Sequence, residues 1–242
     1  MTVAHHPLTT VGTYLMAPAE LNARLGADPQ AWTEFGRHWD QLADDTYAAE
    51  LGTKRLRRYG HYLFTPGDGH IEPMTHDAFV QPEDSNPLYV GRERHFEPLT
   101  DAFAAEPLLR DYLSLLAEFA VLLDDAARWS VKVTPFRVLA SADDTGKPTP
   151  EGLHRDGVTL VTSLLIGRDN AEGGESSVYD MAGAHLLSVI LDEPGTLLLG
   201  DDRRSLHGVS PIHPLDPSRP ARRDVLVVTF APSSPSGRRR RR

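Results

Sequence analysis

The sequence predicts an α+β fold in which an N-terminal helical layer packs against a C-terminal double-stranded β-helix, or jelly roll. Apolar residues recur at helical spacing in the first half of the chain. The second half contains short strand-like segments, with turn signals about every 8 to 20 residues. Strands of this kind are typical of sandwiches and barrels, and the jelly roll is the version that encloses a small-molecule site. The length of 242 residues suits a single domain, because one core grows to about 250 residues before a chain splits.

Residues 1–128 are predicted to be mainly helical. Aromatic and aliphatic residues recur at helical spacing from about residue 18 to 53 and again from about 99 to 127. Pro107 lies within the second stretch and should divide or bend that helix. Alternating apolar residues between the two stretches predict a strand near residues 59–65.

Residues 129–232 are predicted to form the jelly-roll core. The strand patterns fall at residues 129–140, 158–166, 177–179, 185–191, 196–199 and 225–230. Residues 71–98 are rich in Pro, Asp, Asn and Gly, which indicates irregular connections or short edge strands. Residues 233–242 form a basic tail that ends in the arginines Arg238 to Arg242, and either an interaction segment or a solvated end fits this composition.

Composition excludes several classes of protein and site. The net charge is -9 and would be -14 without the five terminal arginines, which argues against nucleic acid as a partner. The absence of cysteine excludes disulfides and thiolate ligands, so nitrogen and oxygen must hold any metal. No secretory signal and no apolar run of ~18 residues is visible, so we expect a cytoplasmic protein without a membrane partner. The oligomeric state stays open.

The first candidate site is a metal triad. His154 and Asp156 stand two residues apart, and an extended backbone would point both side chains to the same face. His207, farther along the chain, offers the third ligand of a 2-His-1-carboxylate set that leaves coordination positions open. The alternative is a surface ion pair with an unrelated histidine, and spacing alone does not decide between them.

The second candidate is the pair Arg222 and Arg223, which precedes the most apolar strand of the chain. On a strand one of the two must face inward, where a buried guanidinium needs an anion. A ligand carboxylate would satisfy it, and so would an internal salt bridge with Asp201 or Asp202.

These motifs occur in an order that resembles a known family. The set comprises His154-x-Asp156, Gly173-Gly174-Glu175, His207-Gly208-Val209-Ser210-Pro211 and Arg223-Asp224-Val225-Leu226-Val227. It resembles the Fe(II)/2-oxoglutarate-dependent dioxygenases, and more narrowly the bacterial branch typified by L-isoleucine dioxygenase, whose members hydroxylate free amino acids. The resemblance covers roughly residues 130 to 232.

The resemblance implies a set of ligand contacts. His154, Asp156 and His207 would be the iron ligands, and Arg223, or alternatively Arg222, would bind the distal carboxylate of 2-oxoglutarate. Fe(II), 2-oxoglutarate and O2 would be the cofactor and cosubstrates. Many relatives carry Ser or Thr two residues after the arginine, where this chain has Val225, so a second hydrogen bond to the cosubstrate must come from elsewhere.

The implied function is hydroxylation of the side chain of a free aliphatic L-amino acid such as isoleucine, leucine, valine or methionine, with 2-oxoglutarate converted to succinate and CO2. We expect Arg137 to contact the substrate carboxylate, and Glu151 and Tyr179 to be further polar contacts, although structural roles would suit all three. The alternatives are desaturation or oxidative cyclisation by the same cofactor chemistry, and a non-enzymatic metal-binding β-barrel.

Overall fold

The computed structural model describes residues 6–75, 79 and 93–233. Its helices are α1 (Pro7–Thr10), α2 (Pro18–Leu25), α3 (Pro29–Gly36), α4 (Thr46–Ala49), α5 (Asp101–Ala104) and α6 (Pro107–Leu123), with a 3-10 turn at Arg37–Gln41. Its strands are β1 (Thr13–Met16), β2 (Ala43–Asp44), β3 (Arg55–Arg57), β4 (Gly60–Thr65), β5 (His70–Pro73), β6 (Trp129–Ala140), β7 (Leu160–Asp169), β8 (Ala171–Gly173), β9 (Glu175–Asp180), β10 (His185–Ile190), β11 (Leu197–Asp201), β12 (Ser205–Val209), β13 (Ile212–Pro214) and β14 (Ala221–Pro232). The basic tail Arg238 to Arg242 lies outside the described residues.

Two antiparallel sheets of unequal size face each other. The main sheet has the order β1-β11-β7-β14-β6-β3-β2, with β4 attached to β6 and β5 to β4. The minor sheet has the order β10-β9-β12, and β8 pairs separately with β13. Leu165 and Val225 of the main sheet pack against Val178 of the minor sheet in one buried cluster. This arrangement agrees with the predicted jelly roll.

The helices cover the outer face of the main sheet. Successive side chains of a strand point to opposite faces, so Leu226, Val228 and Phe230 of β14 join the helical core while the residues between them face the minor sheet. The buried side of α6 meets this outer face through residues such as Leu116 and Phe119. The sheet therefore separates a helix-packed core from the interior of the jelly roll.

The expectation of a mainly helical N-terminal layer needs a correction. β1 extends one edge of the main sheet by pairing with β11, and β2 to β5 extend its other side through β6. β4 agrees with the strand predicted near residues 59–65, and the break predicted at Pro107 separates α5 from α6. β1, β2, β3 and β5 are two to four residues long, which is too short for a clear alternating pattern.

The segment predicted to contain irregular connections or short edge strands, residues 71–98, is described only in part. β5 occupies its beginning, and residues 76–78 and 80–92 lie outside the described residues. In the described part of the chain, no helix is both long and apolar enough to cross a bilayer.

The packing of α6 predicts a large difference between two truncations in one helix. Leu116→Ala should lower the free energy of unfolding by about 2–5 kcal/mol, because Leu116 is fully buried and its removal leaves a cavity. Val121→Ala is the matched control and should change it by less than about 0.5 kcal/mol, because Val121 is 45% exposed. Urea titration followed by circular dichroism measures both, and equal losses would contradict the packing of α6 on the sheet.

Candidate metal centre

A cavity of about 150 Å³ lies between the two sheets. Every second side chain of β6 and of β14 faces this cavity and forms its floor. These residues are Lys132, Thr134, Phe136, Val138, Arg223, Val225, Val227 and Thr229. The opposite wall contains Glu151, His154, Asp156 and His207. The cavity is therefore apolar in part and carries charged groups at defined positions.

The structure brings the three predicted metal ligands together. The ligand atoms of His154, Asp156 and His207 all lie within 4.8 Å of one another, so the three side chains could hold one metal ion. The Asp156 carboxylate is 3.9 Å from Nε2 of His154 and 3.7 Å from Nε2 of His207. Two imidazole nitrogens and one carboxylate oxygen form the donor set of a facial triad, which suits Fe(II).

Backbone pairing brings His154 next to His207. His207 lies on β12, whereas His154 and Asp156 lie in the segment between β6 and β7, outside the named strands. A single antiparallel bridge connects the histidines, with N–H to oxygen distances of 2.9 Å in both directions. Gly152 and Gly157 flank the motif at positive φ, which turns the chain on either side of it.

Neighbouring groups orient the two imidazoles toward the shared position. Nδ1 of His154 lies 3.0 Å from the carbonyl oxygen of Gly152, a contact that leaves Nε2 as the free acceptor. Nδ1 of His207 faces the Asp202 carboxylate at 3.6 Å. Burial lowers the pKa of His207 to about 4, so its ring is neutral near pH 7 and its lone pair is available to a metal.

Asp202 is a supporting residue whose place beside His207 the sequence did not predict. It is fully buried and accepts hydrogen bonds from the backbone N–H groups of Asp156 and Val158 at 3.1 and 3.0 Å. Burial, followed by the charge of Asp156, raises the pKa of Asp202 to about 6. Asp202 therefore contacts both the loop of one ligand and the ring of another, as carboxylates behind metal-bound histidines do.

Arg223 faces the cavity and Arg222 faces solvent. Arg223 is 1% exposed and, among the described residues, its Nε and one terminal nitrogen have no hydrogen-bond partner. Burial, followed by the nearby charge of Arg168, lowers the pKa of Arg223 to about 10. Its donors are thus held in a cavity without a counter-ion, where an anion would be stabilised.

The salt bridges considered for the arginine pair are not formed in the described part of the chain. Asp201 pairs with Arg203 at 2.9 Å, and Asp202 is engaged by the backbone N–H groups of Asp156 and Val158. The charge of Arg223 is therefore available to bind an anionic group that enters the cavity.

Arg137 lies on the wrong face of β6 for the substrate contact expected from the sequence. Its guanidinium makes a two-pronged contact with Asp224 at 2.8 Å for both bonds and reaches Asp40 at 3.2 Å. The residues of β6 that line the cavity have even numbers, so the odd position of Arg137 points away from it. The expected carboxylate contact is corrected to a structural ion pair.

Tyr179 and Glu151 are placed differently from each other. Tyr179 of β9 is not among the cavity-lining residues and packs edge-on against His185, with ring centroids 5.3 Å apart. Its neighbour Val178 takes the inward position, which overturns the expectation for Tyr179. Glu151 does line the cavity, and its carboxylate lies 3.5 Å from Nε2 of His154.

The sequence reasoning missed several cations that line the cavity. Arg55 and Arg57 of β3 both point inward, and Arg94 and Lys132 lie close by. The available signal was the spacing Arg55-Leu56-Arg57, which places two guanidinium groups on one face of a strand. The sequence does not show which face of a strand is inside, so this spacing alone suits a solvent-exposed pair equally well.

Comparison with protein families matches residues 36–229 to the family described as 2OG-Fe dioxygenase. The chain belongs to this family. The matched residues include the triad and Arg223, so the resemblance stated from the sequence is confirmed. The family uses Fe(II), 2-oxoglutarate and O2, and the protein is a non-haem iron dioxygenase.

Individual relatives agree with this assignment. An L-isoleucine-4-hydroxylase of Bacillus thuringiensis is 28% identical over 196 residues, which are 78% of each chain. The crystal structure of a BsmA homologue from Methylobium petroleophilum has a TM-score of 0.86 at 36% identity, covering 95% of this chain and 93% of that one. The crystal structure of IDO from Bacillus thuringiensis has a TM-score of 0.78 at 20% identity and 97% coverage of both chains. These likenesses confirm the predicted α+β class with a jelly-roll core.

The geometry of this dioxygenase predicts which histidines matter for metal binding. His207→Ala should weaken anaerobic Fe(II) binding by more than ~100-fold, because loss of a direct ligand should exceed the ~10–100-fold effect of losing a supporting residue. His185→Ala is the matched control, because His185 is exposed on β10 of the minor sheet and lies outside the triad. Equilibrium dialysis with iron quantification measures both, and unchanged binding by His207→Ala would refute the site.

Proposed function

We propose that this dioxygenase hydroxylates the side chain of a free aliphatic L-amino acid and converts 2-oxoglutarate to succinate and CO2. The observation that carries the proposal is one cavity that contains a triad suited to Fe(II) and a buried arginine with no counter-ion among the described residues. The similarity to an L-isoleucine-4-hydroxylase supports a free amino acid as the substrate. The substrate and the reaction type are both part of the proposal.

In this proposal His154, Asp156 and His207 bind the iron. Bound Fe(II) with 2-oxoglutarate supplies the oxidation of an unactivated C–H bond by O2. Burial keeps His207 neutral, the Gly152 carbonyl orients the ring of His154, and the Asp202 carboxylate lies 3.6 Å from Nδ1 of His207. Three ligands from one side leave room for the cosubstrate on the other.

Arg223 is assigned to the distal carboxylate of 2-oxoglutarate. A guanidinium fork can hold a carboxylate through two parallel hydrogen bonds, and two nitrogens of Arg223 are without partners in the described chain. Arg222 does not suit this role, because it is exposed. Val225 also lines the cavity and provides no hydroxyl. Arg223 is therefore the main polar contact for this carboxylate.

Glu151 remains the candidate for the substrate ammonium. Its carboxylate lies in the cavity beside the triad, 3.5 Å from Nε2 of His154. Phe136, Val161 and Val209 supply apolar surface that suits an aliphatic side chain. These contacts would orient the substrate and so decide which C–H bond is presented to the metal side of the cavity.

A panel of amino acids tests the substrate class. The protein is incubated with Fe(II), ascorbate, 2-oxoglutarate and each amino acid, and succinate and product mass are measured. We expect succinate above background together with a product that has gained one oxygen atom for at least one aliphatic amino acid. Loss of two hydrogen atoms would indicate desaturation or ring closure instead. Succinate at the background level with every amino acid would refute the proposed substrate class.

The cosubstrate assignment predicts opposite behaviour for adjacent arginines. Arg223→Gln should weaken 2-oxoglutarate binding at least ~30-fold, since truncating one partner of a buried charged pair costs about 2 kcal/mol or more. Arg222→Gln is the control and should leave binding unchanged, because that side chain is exposed. The visible absorption band of the anaerobic Fe(II) and 2-oxoglutarate complex reports both affinities. A loss in Arg222→Gln with none in Arg223→Gln would reverse the assignment.

A further inference from the structure

Arg57 is a second buried arginine that faces the cavity without an ionic partner in the described chain. It lies on β3 and is 3% exposed. Its one hydrogen bond there runs from a terminal nitrogen to Oγ1 of Thr134 at 3.4 Å, and its Nε has no partner. A buried guanidinium in this state is unfavourable unless an anion binds beside it.

Arg55, on the same strand, forms a salt bridge within the fold and so has a structural role. Arg55 donates to the Asp45 carboxylate at 2.9 and 2.8 Å and to the carbonyl oxygen of Pro148 at 3.3 Å. Both side chains point inward from β3, but only the charge of Arg55 is neutralised within the described residues. The fold therefore provides a carboxylate for one of the two and leaves the other for a ligand.

Aromatic rings hold the guanidinium of Arg57 in place. Its central carbon lies 3.5 Å from the ring centroid of Phe96, 4.7 Å from that of Phe136 and 5.0 Å from that of Phe79. Three aromatic rings therefore pack around the guanidinium, and hydrogen bonds to a ligand must come from its N–H edge. Burial is the main cause that lowers the pKa of Arg57; the Asp45 carboxylate opposes it, and Arg55 and Arg94 lower the pKa further. A bound anion would offset the cost of burial.

The surroundings of Arg57 differ from those of Arg223. Arg223 has Arg168 as its neighbouring cation and packs beside Gly174, whereas Arg57 lies among Phe79, Phe96 and Phe136. Arg57 of β3 pairs with Phe136 of β6, and Arg223 of β14 pairs with Val138 of β6. The two arginines therefore enter the cavity from strands on opposite sides of β6 and at positions two residues apart along it. One carboxylate at Arg223 would not satisfy Arg57.

The site at Arg57 is connected to the metal side of the cavity. Thr134, which accepts its hydrogen bond, lies two residues from Lys132 on the cavity face of β6. Lys132 is close enough to Asp156 for that carboxylate to raise its pKa, although burial, the larger effect, lowers it to about 8. A molecule anchored at Arg57 can therefore extend along Thr134 toward the triad.

We propose that Arg57 binds the carboxylate of the organic substrate that is oxidised, which for a free amino acid is its α-carboxylate. This inference rests on the proposed function and assigns to Arg57 the contact that the sequence suggested for Arg137. It makes a free carboxylate a requirement for recognition, so amides and peptides linked through that group should be poor ligands.

Equilibrium binding without turnover tests the inference. Zn(II)-loaded protein saturated with 2-oxoglutarate is titrated by calorimetry with L-isoleucine, with L-isoleucinamide and with 3-methylpentanoate, which keeps the carboxylate but lacks the amine. Arg57→Gln should weaken both carboxylates at least ~30-fold and leave 2-oxoglutarate affinity unchanged. Arg57→Lys should recover part of the loss, because it restores the charge without the fork. L-isoleucinamide should bind equally weakly to the parent and to Arg57→Gln.

A stability measurement separates ligand binding from a structural role. Arg55→Gln should lower the melting temperature, because it leaves Asp45 buried and unpaired. Arg57→Gln should not lower it, because the removed charge has no ionic partner within the described chain. A destabilised Arg57→Gln that keeps full carboxylate affinity would overturn the inference.

Three other outcomes have distinct meanings. Loss of 2-oxoglutarate binding with intact carboxylate binding in Arg57→Gln would place Arg57 in the cosubstrate site and overturn the inference. A parent protein that binds neither L-isoleucine nor 3-methylpentanoate would also overturn it. Carboxylate binding that depends on Arg57, combined with no succinate from any amino acid, would refute the proposed function and leave the carboxylate site standing.

Discussion

The pairing of buried charges decides which side chains of this protein are available to ligands. Arg55 with Asp45 and Arg137 with Asp224 are neutralised inside the fold, at distances of 2.8 to 2.9 Å. Arg223 has no such partner in the part of the chain that the structure describes. Because an isolated buried charge is costly, its position identifies where the cavity should receive an anion more directly than the shape of the cavity does.

Strand alternation places these charges inside or outside the jelly roll. In β14 the side chain of Arg223 enters the cavity while Asp224, one residue later, pairs with Arg137 on the other face. A shift of one residue in the pairing of β14 with β6 would exchange a cation for an anion in the cavity. The apolar residues of β14 from Val225 to Phe230 fix the register, because half of them must meet the helical core. Helix packing therefore sets the chemistry of the cavity.

The sequence was sufficient to predict the long helices and strands and the three candidate metal ligands. It was insufficient to predict any contact that depends on which face of a strand is inside. Alternation shows that Arg222 and Arg223 point to opposite faces, but only the packed sheet shows which one is buried. The same ambiguity led to the wrong expectations for Arg137 and Tyr179. Arg57 was missed because its surroundings come from distant segments, and a short strand leaves little pattern to read.

The proposed contacts also form a consistent balance of charge. The two positive charges of Fe(II) and the one of Arg223 would offset the two negative charges of 2-oxoglutarate and the one of Asp156. Among the described residues Arg57 would then still lack a salt-bridge partner of its own, since Asp45 pairs with Arg55, so its guanidinium would attract a carboxylate after 2-oxoglutarate has bound. An amino acid would supply that carboxylate and present its ammonium to Glu151. A molecule with a neutral amide in place of this carboxylate would leave Arg57 without a counter-ion among the described residues, so the substrate would be selected by charge before its side chain is compared.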